Sequence, residues 1–309
     1  MKPLDGIKII DLSTLLPGPM ATLILAEAGA EVIKIERPGG EDMRRSPPFI
    51  DGESVLFGLL NKGKRSIELD IKSEEGFNKV INLIKSADIV IDQFRPGVMK
   101  RLGLDFKSLL KIKPNIIHCS ITGYGQTGPK KLVAAHDLNY MAESGLLSLS
   151  REKDGAPAMP NTQIADIAGG SYPAVINILL ALREVEKTGQ GKFLDISMTD
   201  NLFPFMWMAL GLTAKNYYAE GGDLQLTGAS PRYGIYETLN KGYIALGALE
   251  EKFWLRFCEV INLPQEFIDD KMNPNATKAA IIQIIKEKET GYWKETLSKE
   301  DNICCSIVS

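Results

Sequence analysis

This sequence of 309 residues is poor in the side chains that announce metal centres or disulfide frameworks, with four cysteines and two histidines. Cys119, Cys258, Cys304 and Cys305 fall in no metal-ligand or redox spacing, and one adjacent pair builds no framework. They read as free thiols of a reducing compartment, and no metal site is expected. Uninterrupted apolar runs stay far short of the roughly 18 residues of a membrane span, so no membrane partner is expected. Met1-Lys2-Pro3-Leu4-Asp5 opens without a secretory hydrophobic region, which predicts a cytoplasmic chain. A net charge of −3 excludes a polycation that binds nucleic acid with its whole surface. With 44% apolar and 24% charged residues the composition is that of a globular protein, of two domains or one large one.

What is present is an alternation of strand and helix patterns. Residues 7–12 are a β-branched strand, 13–19 a loop with two prolines, 20–28 an apolar helix closed by Gly29, and 31–35 a second strand. Strand, loop, helix and strand within about thirty residues make a βαβ unit with a parallel sheet. Further strands are expected at 66–70, 87–92, 116–121 and 193–197, with helices at 73–85 and about 167–186. The reading is an α/β fold: a doubly wound, Rossmann-like parallel sheet over 1–200, a linker over 201–224 and a smaller α+β domain over 225–309. The smaller domain should hold a hairpin of 233–238 and 243–247 turning at Asn240-Lys241-Gly242, then helices at 251–261 and 275–288.

The loop after the first strand reads Leu16-Pro17-Gly18-Pro19-Met20 and lacks G-x-G-x-x-G. Its prolines remove backbone donors that a pyrophosphate needs, which argues against NAD or FAD. Residues 1–130 nevertheless carry 19 basic against 16 acidic side chains, either a sign of an anionic ligand or surface variation. Asn61-Lys62-Gly63-Lys64-Arg65-Ser66 precedes a strand, and Phe94-Arg95-Pro96-Gly97-Val98 follows one. Arg37 and Arg95 come after strands, where open α/β sheets bind ligands, and guanidinium forks suit phosphate oxygens. The alternative is pairing with Glu36, Asp92 or solvent. Phe203, Phe205, Met206, Trp207 and Met208 are either core or the lining of an apolar acyl site.

These motifs, together with Leu4-Asp5-Gly6, Ala28-Gly29-Ala30-Glu31-Val32-Ile33-Lys34-Ile35-Glu36-Arg37-Pro38 and Gly123-Tyr124-Gly125-Gln126-Thr127-Gly128-Pro129, follow in one order over nearly the whole chain. In that order the sequence resembles the class III CoA-transferase family (CaiB/BaiF-like), which includes the α-methylacyl-CoA racemases. The resemblance implies an acyl-CoA substrate, with coenzyme A entering as part of the thioester and no permanently bound cofactor. Arg37 and Arg95 would hold its adenosine-phosphate end, and Lys62, Lys64 and Tyr140 are the further candidate CoA contacts. It also implies a homodimer of interlocked chains. Family members continue past the segment that residues 301–309 resemble, so a fragment or shortened copy is expected here.

The two branches of that family divide on the groups beside the thioester. Of the two histidines, His118 sits inside a strand and reads as packed core, whereas His136 opens a helix, where the dipole favours the neutral imidazole of a base. Asp166 precedes Ala168-Gly169-Gly170-Ser171, small residues that admit a ligand close to the backbone, and reads equally as a helix N-cap. His136-Asp137-Leu138-Asn139-Tyr140 followed thirty residues later by Asp166 is similar to the racemase pattern, and transferases generally keep the aspartate without the histidine. Gly247-Ala248-Leu249-Glu250 resembles the racemase segment whose glutamate bonds the catalytic histidine. The implied chemistry is epimerisation of a 2-methyl-branched acyl-CoA by 1,1-proton transfer between His136 and Asp166, with Glu250 supporting His136 and donors near Asp137 meeting an enolate oxygen. The alternative is an acyl-CoA:carboxylate CoA transferase with Asp166 as nucleophile. Thr162 stands where racemases often carry asparagine, with Asn161 one place earlier.

Overall fold

The β-branched segments of the first part form one six-stranded parallel sheet. In the computed structural model, which describes residues 1–151, 155–218, 221–222 and 224–308, the sheet begins with β1 (Lys8–Leu12) and β2 (Glu31–Glu36). After a short hairpin, β3 (Phe49–Ile50) and β4 (Glu53–Ser54), come β5 (Arg65–Glu68), β6 (Ile89–Asp92), β7 (Ile117–Thr122) and β8 (Lys192–Ser197). The sheet order is β5-β2-β1-β6-β7-β8, with every neighbouring pair parallel. Winding reverses between β1 and β6, so their carboxyl ends open the crevice in which doubly wound sheets place ligands.

Strand alternation sends side chains into two cores. Ile9, Ile91, Cys119 and Ile121 pack on one face, beneath α1 (Pro17–Glu27) and α7 (Tyr172–Thr188). Ile10, Leu12 and Val90 pack on the other with residues of α3 (Glu74–Lys85), α4 (Val98–Arg101) and α5 (Phe106–Ile112). Between these lie α2 (Val55–Asn61) and α6 (Asp137–Ser144). Ser73 caps α3, its hydroxyl accepting from the Gly76 amide at 3.1 Å, and Val80 and Ile84 are buried one helical turn apart. The expected loop over 13–19 is shorter than the sequence suggests, because α1 begins at Pro17. The missing proline N–H costs nothing in a first turn, whose amides have no intrahelical acceptor.

The expected helix over 167–186 is longer and of two kinds. Ala165–Ser171 is a wide π turn that runs directly into α7. Together, Ala165–Thr188 is the one helix among the described residues long and apolar enough to cross a membrane by length and composition. Here it packs Ala174, Ile178 and Ala181 into the first core.

Two compact units result, Met1–Leu147 with Met159–Met206, and Ser148–Ala158 with Trp207–Ser309. In the second unit, α8 (Trp207–Thr213) is followed by β9 (Tyr233–Glu237) and β10 (Tyr243–Gly247), the hairpin seen in the sequence. A strand the sequence pattern did not reveal, β11 (Cys305–Val308), pairs antiparallel with β10. Tyr236, Ile244 and Leu246 face Trp254, Phe257, Ile281 and Trp293 from α9 (Glu251–Val260), α10 (Pro274–Lys286) and α11 (Thr290–Leu297).

Candidate active site

The crevice between β1 and β6 is closed by two loops that hold each other. The Gly18 amide donates to Gln93 Oε1 at 2.8 Å, tying the first turn of α1 to the segment after β6. A Cβ on Gly18 would lie 2.2 Å from the Ser13 side chain, so only glycine fits this approach. Beside it Leu15 holds a left-handed φ of 62°, a conformation that costs a bulky residue energy and marks a loop fixed by its surroundings. Gln93 and Leu15 escaped the sequence reading. Their only signal was position, directly after strands of a parallel sheet.

A cavity of about 460 Å³ lies here, walled by Thr14, Leu15, Arg95, His136, Tyr140 and Asp166 among others. Four side chains singled out from the sequence thus share one cavity, although 71 residues separate Arg95 from Asp166. A second cavity of about 610 Å³ continues from it over the ends of β1 and β2, sharing Thr14 and Phe94 and adding Arg37, Glu41 and Lys72. The two form a path from the Arg37 end to Asp166.

The pair of helical starts that carry His136 and Asp166 is fastened by Asp137. Its Oδ1 accepts the Asp166 amide at 2.9 Å, joining the first turn of α6 to the π turn. His136 is the exposed residue before α6, and its own amide donates to Asn139 Oδ1 at 3.0 Å, which fixes the backbone that presents the imidazole. Burial, and then the like charge of Asp137, push the Asp166 carboxyl from its ordinary 3.8 up to about 7. Burial also raises Asp137, against the opposing pull of the Asp166 and Ala165 amides. Asp137 itself does not wall the cavity. The π turn fits only because it is built of small residues, since a Cβ on Gly169 would stand 2.3 Å from the Met198 carbonyl oxygen.

Tyr140 is buried, with its hydroxyl donating to the Ala135 carbonyl at 2.8 Å and its ring edge-on to Tyr124. Burial, and then Asp166, raise that phenol to about 12. It offers the cavity a ring rather than a free hydroxyl. Arg95 meets the cavity with no ion-pair partner among the described residues. Arg37 walls the second cavity but is paired with Asp42 and donates to the Gly40 carbonyl at 3.2 Å. Lys62 stands exposed after α2 and walls neither cavity.

Lys64 is placed differently from the sequence expectation. Its Nζ turns inward, donating to the Pro19 carbonyl and Asn61 Oδ1 at 2.8 Å each and lying 3.5 Å from Asp11 Oδ2. A side chain with its donors spent inside the fold has none left for a ligand. Burial draws Lys64 down to about 8 against the raising effect of Asp11. Asp11 is fully buried, yet Lys34, Lys64 and the Ser13 and Thr22 hydroxyls outweigh its burial and hold it below the ordinary carboxylate range. Lys34 completes this network, donating to the Ser13 carbonyl at 2.8 Å and pairing with buried Glu41 at 3.2 Å. The lysine seen as a ligand contact therefore braces the loop that walls the cavities. Glu250 belongs to the second unit, exposed before α9, where its backbone carbonyl accepts from Phe253 and Trp254 at 3.0 Å. His118 is buried in β7, and Thr162 is exposed. No group of three or more His, Cys, Asp or Glu side chains suited to a metal gathers among the described residues.

Comparison with known proteins gives the site a family. A model described as CoA-transferase family III matches residues 4–309. Mouse succinyl-CoA:glutarate CoA-transferase is 38% identical over 307 residues, covering 95% of this chain and 69% of that protein. Human alpha-methylacyl-CoA racemase is 31% identical over 305 residues, covering 96% of this chain and 76% of that protein. A solved CAIB/BAIF family protein from Brucella suis, 28% identical, superposes with a TM-score of 0.86 over 100% of this chain and 84% of its own. A parallel sheet with its crevice at the β1/β6 switch, an aspartate there held near neutrality, and a match from residue 4 to residue 309 agree: the chain belongs to CoA-transferase family III, an enzyme family of CoA-transferases and acyl-CoA racemases.

Proposed function

We propose that this chain epimerises a 2-methyl-branched acyl-CoA by moving one proton between Asp166 and His136 across the α-carbon. One observation carries the reading: an imidazole and a carboxyl raised to about 7 wall the same cavity. At neutral pH that carboxyl is about half ionised, so it can act as base in one direction and acid in the other. One group removes the α-hydrogen as a proton, and the C–H electron pair passes into the thioester as an enolate. The other group returns a proton to the opposite face, and the molecule is otherwise unchanged. Arg37 binds the adenosine-phosphate end in the adjoining cavity, and Arg95, expected at the same end, binds CoA nearer the thioester because it walls the cavity of His136 and Asp166.

The test is incubation with a 2-methylacyl-CoA in heavy water and no free acid. Deuterium at the α-carbon is expected, and its absence with folded protein refutes the reading. A second reading has its own support, since the mouse glutarate CoA-transferase is more similar than the human racemase, 38% against 31%. In it ionised Asp166 attacks the thioester carbonyl, expels the CoA thiolate and holds the acyl group as a mixed anhydride. Hydroxylamine then traps an aspartyl hydroxamate, and turnover requires a carboxylic acid acceptor. Self-association suits both readings, because Tyr172, Ile176 and Leu180 form an exposed apolar row at four-residue spacing on α7.

A further inference from the structure

The same alternation that sends Ile91, Cys119 and Leu194 into the first core turns Asp92, His118, Ser120 and Phe193 to the other face of the sheet. A third cavity, of about 460 Å³, opens over them. Its floor is polar and built. Asp92, His118 and Ser120 are all buried, and His118 Nε2 lies 2.7 Å from Asp92 Oδ2. Asp92 Oδ1 accepts the Phe94 amide at 2.9 Å, and Gln126 Nε2 donates to Ser120 Oγ at 2.9 Å. The other ring nitrogen, His118 Nδ1, is buried with no partner. Phe94, Met99, Phe106 and Phe193 make the walls apolar. Arg95, Lys100 and Lys107 stand at the cavity without an ion pair among the described residues, while Asp105 is occupied by Ser108.

We infer that this third cavity, over Asp92, His118 and Ser120, is a binding site for a small monocarboxylate with an apolar body. Three cations against Asp92 and Asp105 leave one positive charge, which matches a monoanion better than a phosphate dianion. The phenylalanines and Met99 supply contact area that inorganic phosphate cannot use. The site lies on the opposite face of the sheet from the core beneath α1 and α7, and it is probed without CoA, when Arg95 is free of the role proposed for it above. Arg95 is common to this cavity and to the one holding His136 and Asp166.

The test is calorimetric and NMR titration of the full chain with hexanoate, without CoA, at low ionic strength. Saturable one-to-one binding is expected, with shifts at the His118 and Phe193 rings. The Lys100→Gln/Lys107→Gln double variant, altered only at exposed positions, should raise Kd about fivefold or more. His136→Ala should leave Kd unchanged, and inorganic phosphate should bind more weakly than hexanoate. The inference is overturned by absence of saturable binding, by a Kd indifferent to the lysine pair, by loss of binding in His136→Ala, or by phosphate binding as tightly as hexanoate.

Discussion

Replacing Asp166 by asparagine should stabilise the protein while abolishing its chemistry, and the stabilisation should grow with pH. The Asp166 carboxyl titrates at about 7 in the fold, against 3.8 for the ordinary group. Its folded value lies above its unfolded one, so the native chain holds the proton through that window while the unfolded chain has released it. Stability is therefore highest below the window and falls as pH rises through it. Measured against an ordinary carboxyl, the raised Asp166 costs about 4 kcal/mol of stability at about pH 8; at about pH 5, where the native group keeps a proton that the unfolded chain has largely released, it costs about 2 kcal/mol. Asparagine never ionises, so its advantage over the parent should widen by about 2 kcal/mol between those pH values. Urea unfolding of both proteins at the two pH values measures the difference directly. A parent–variant difference that is flat across the range would mean that burial and Asp137 do not hold this carboxyl protonated, and the acid–base role built on it would fall. A gain in stability bought by losing activity is the expected signature of a group kept for chemistry.

His136→Ala should abolish deuterium exchange at the α-carbon while CoA affinity, measured by calorimetry, stays within about twofold. Activity that survives with an acceptor acid present would favour the transferase reading. Arg95→Ala should raise KM for the acyl-CoA about tenfold with little change in kcat, and a selective fall in kcat would contradict a binding role. Lys34→Met should cost about 3–5 kcal/mol of stability in urea unfolding, because it strands the buried Glu41 carboxylate and frees the Ser13 carbonyl. A loss below about 1 kcal/mol would show that Glu41 simply takes up a proton instead.

The sheet was legible because its inner strands β1, β6 and β7 are rich in β-branched residues and almost wholly buried, as the middle of a parallel sheet covered on both faces requires, whereas the edge strands β5 and β8 carry exposed polar residues. Periodicity also gave α3, the β9–β10 hairpin and the helices after it. What it could not give was the direction in which a polar side chain turns. Lys62 and Lys64 belong to one basic run, yet Lys64 alone points inward, because Asp11 sits fully buried 53 residues earlier and requires a cation. Nothing near residue 64 records that need. β11 was missed for a similar reason, since its residues alternate too briefly to announce a strand until β10 offers an edge.

The site divides along the same line. His136 and Asp166 could be singled out from their neighbours, but the bond that brings their helical starts together runs from the Asp166 amide to the Asp137 carboxylate. Donors near Asp137 were expected to meet an enolate oxygen; the bond that its own carboxylate makes is to the backbone that carries the other catalytic candidate. The same carboxylate adds its charge to the burial that raises Asp166 to about 7. Fastening and tuning thus come from one side chain, and they can be separated. In Asp137→Asn an amide oxygen can still accept the Asp166 N–H, so the two helical starts should remain joined while the like charge is gone. Asp166 should then titrate below 7 but above its ordinary value, because burial, the larger cause, is untouched. The acid limb of the exchange rate should move to lower pH by about the same amount, with exchange itself retained. Loss of exchange at every pH would instead mean that Asp137 acts on the substrate rather than through Asp166.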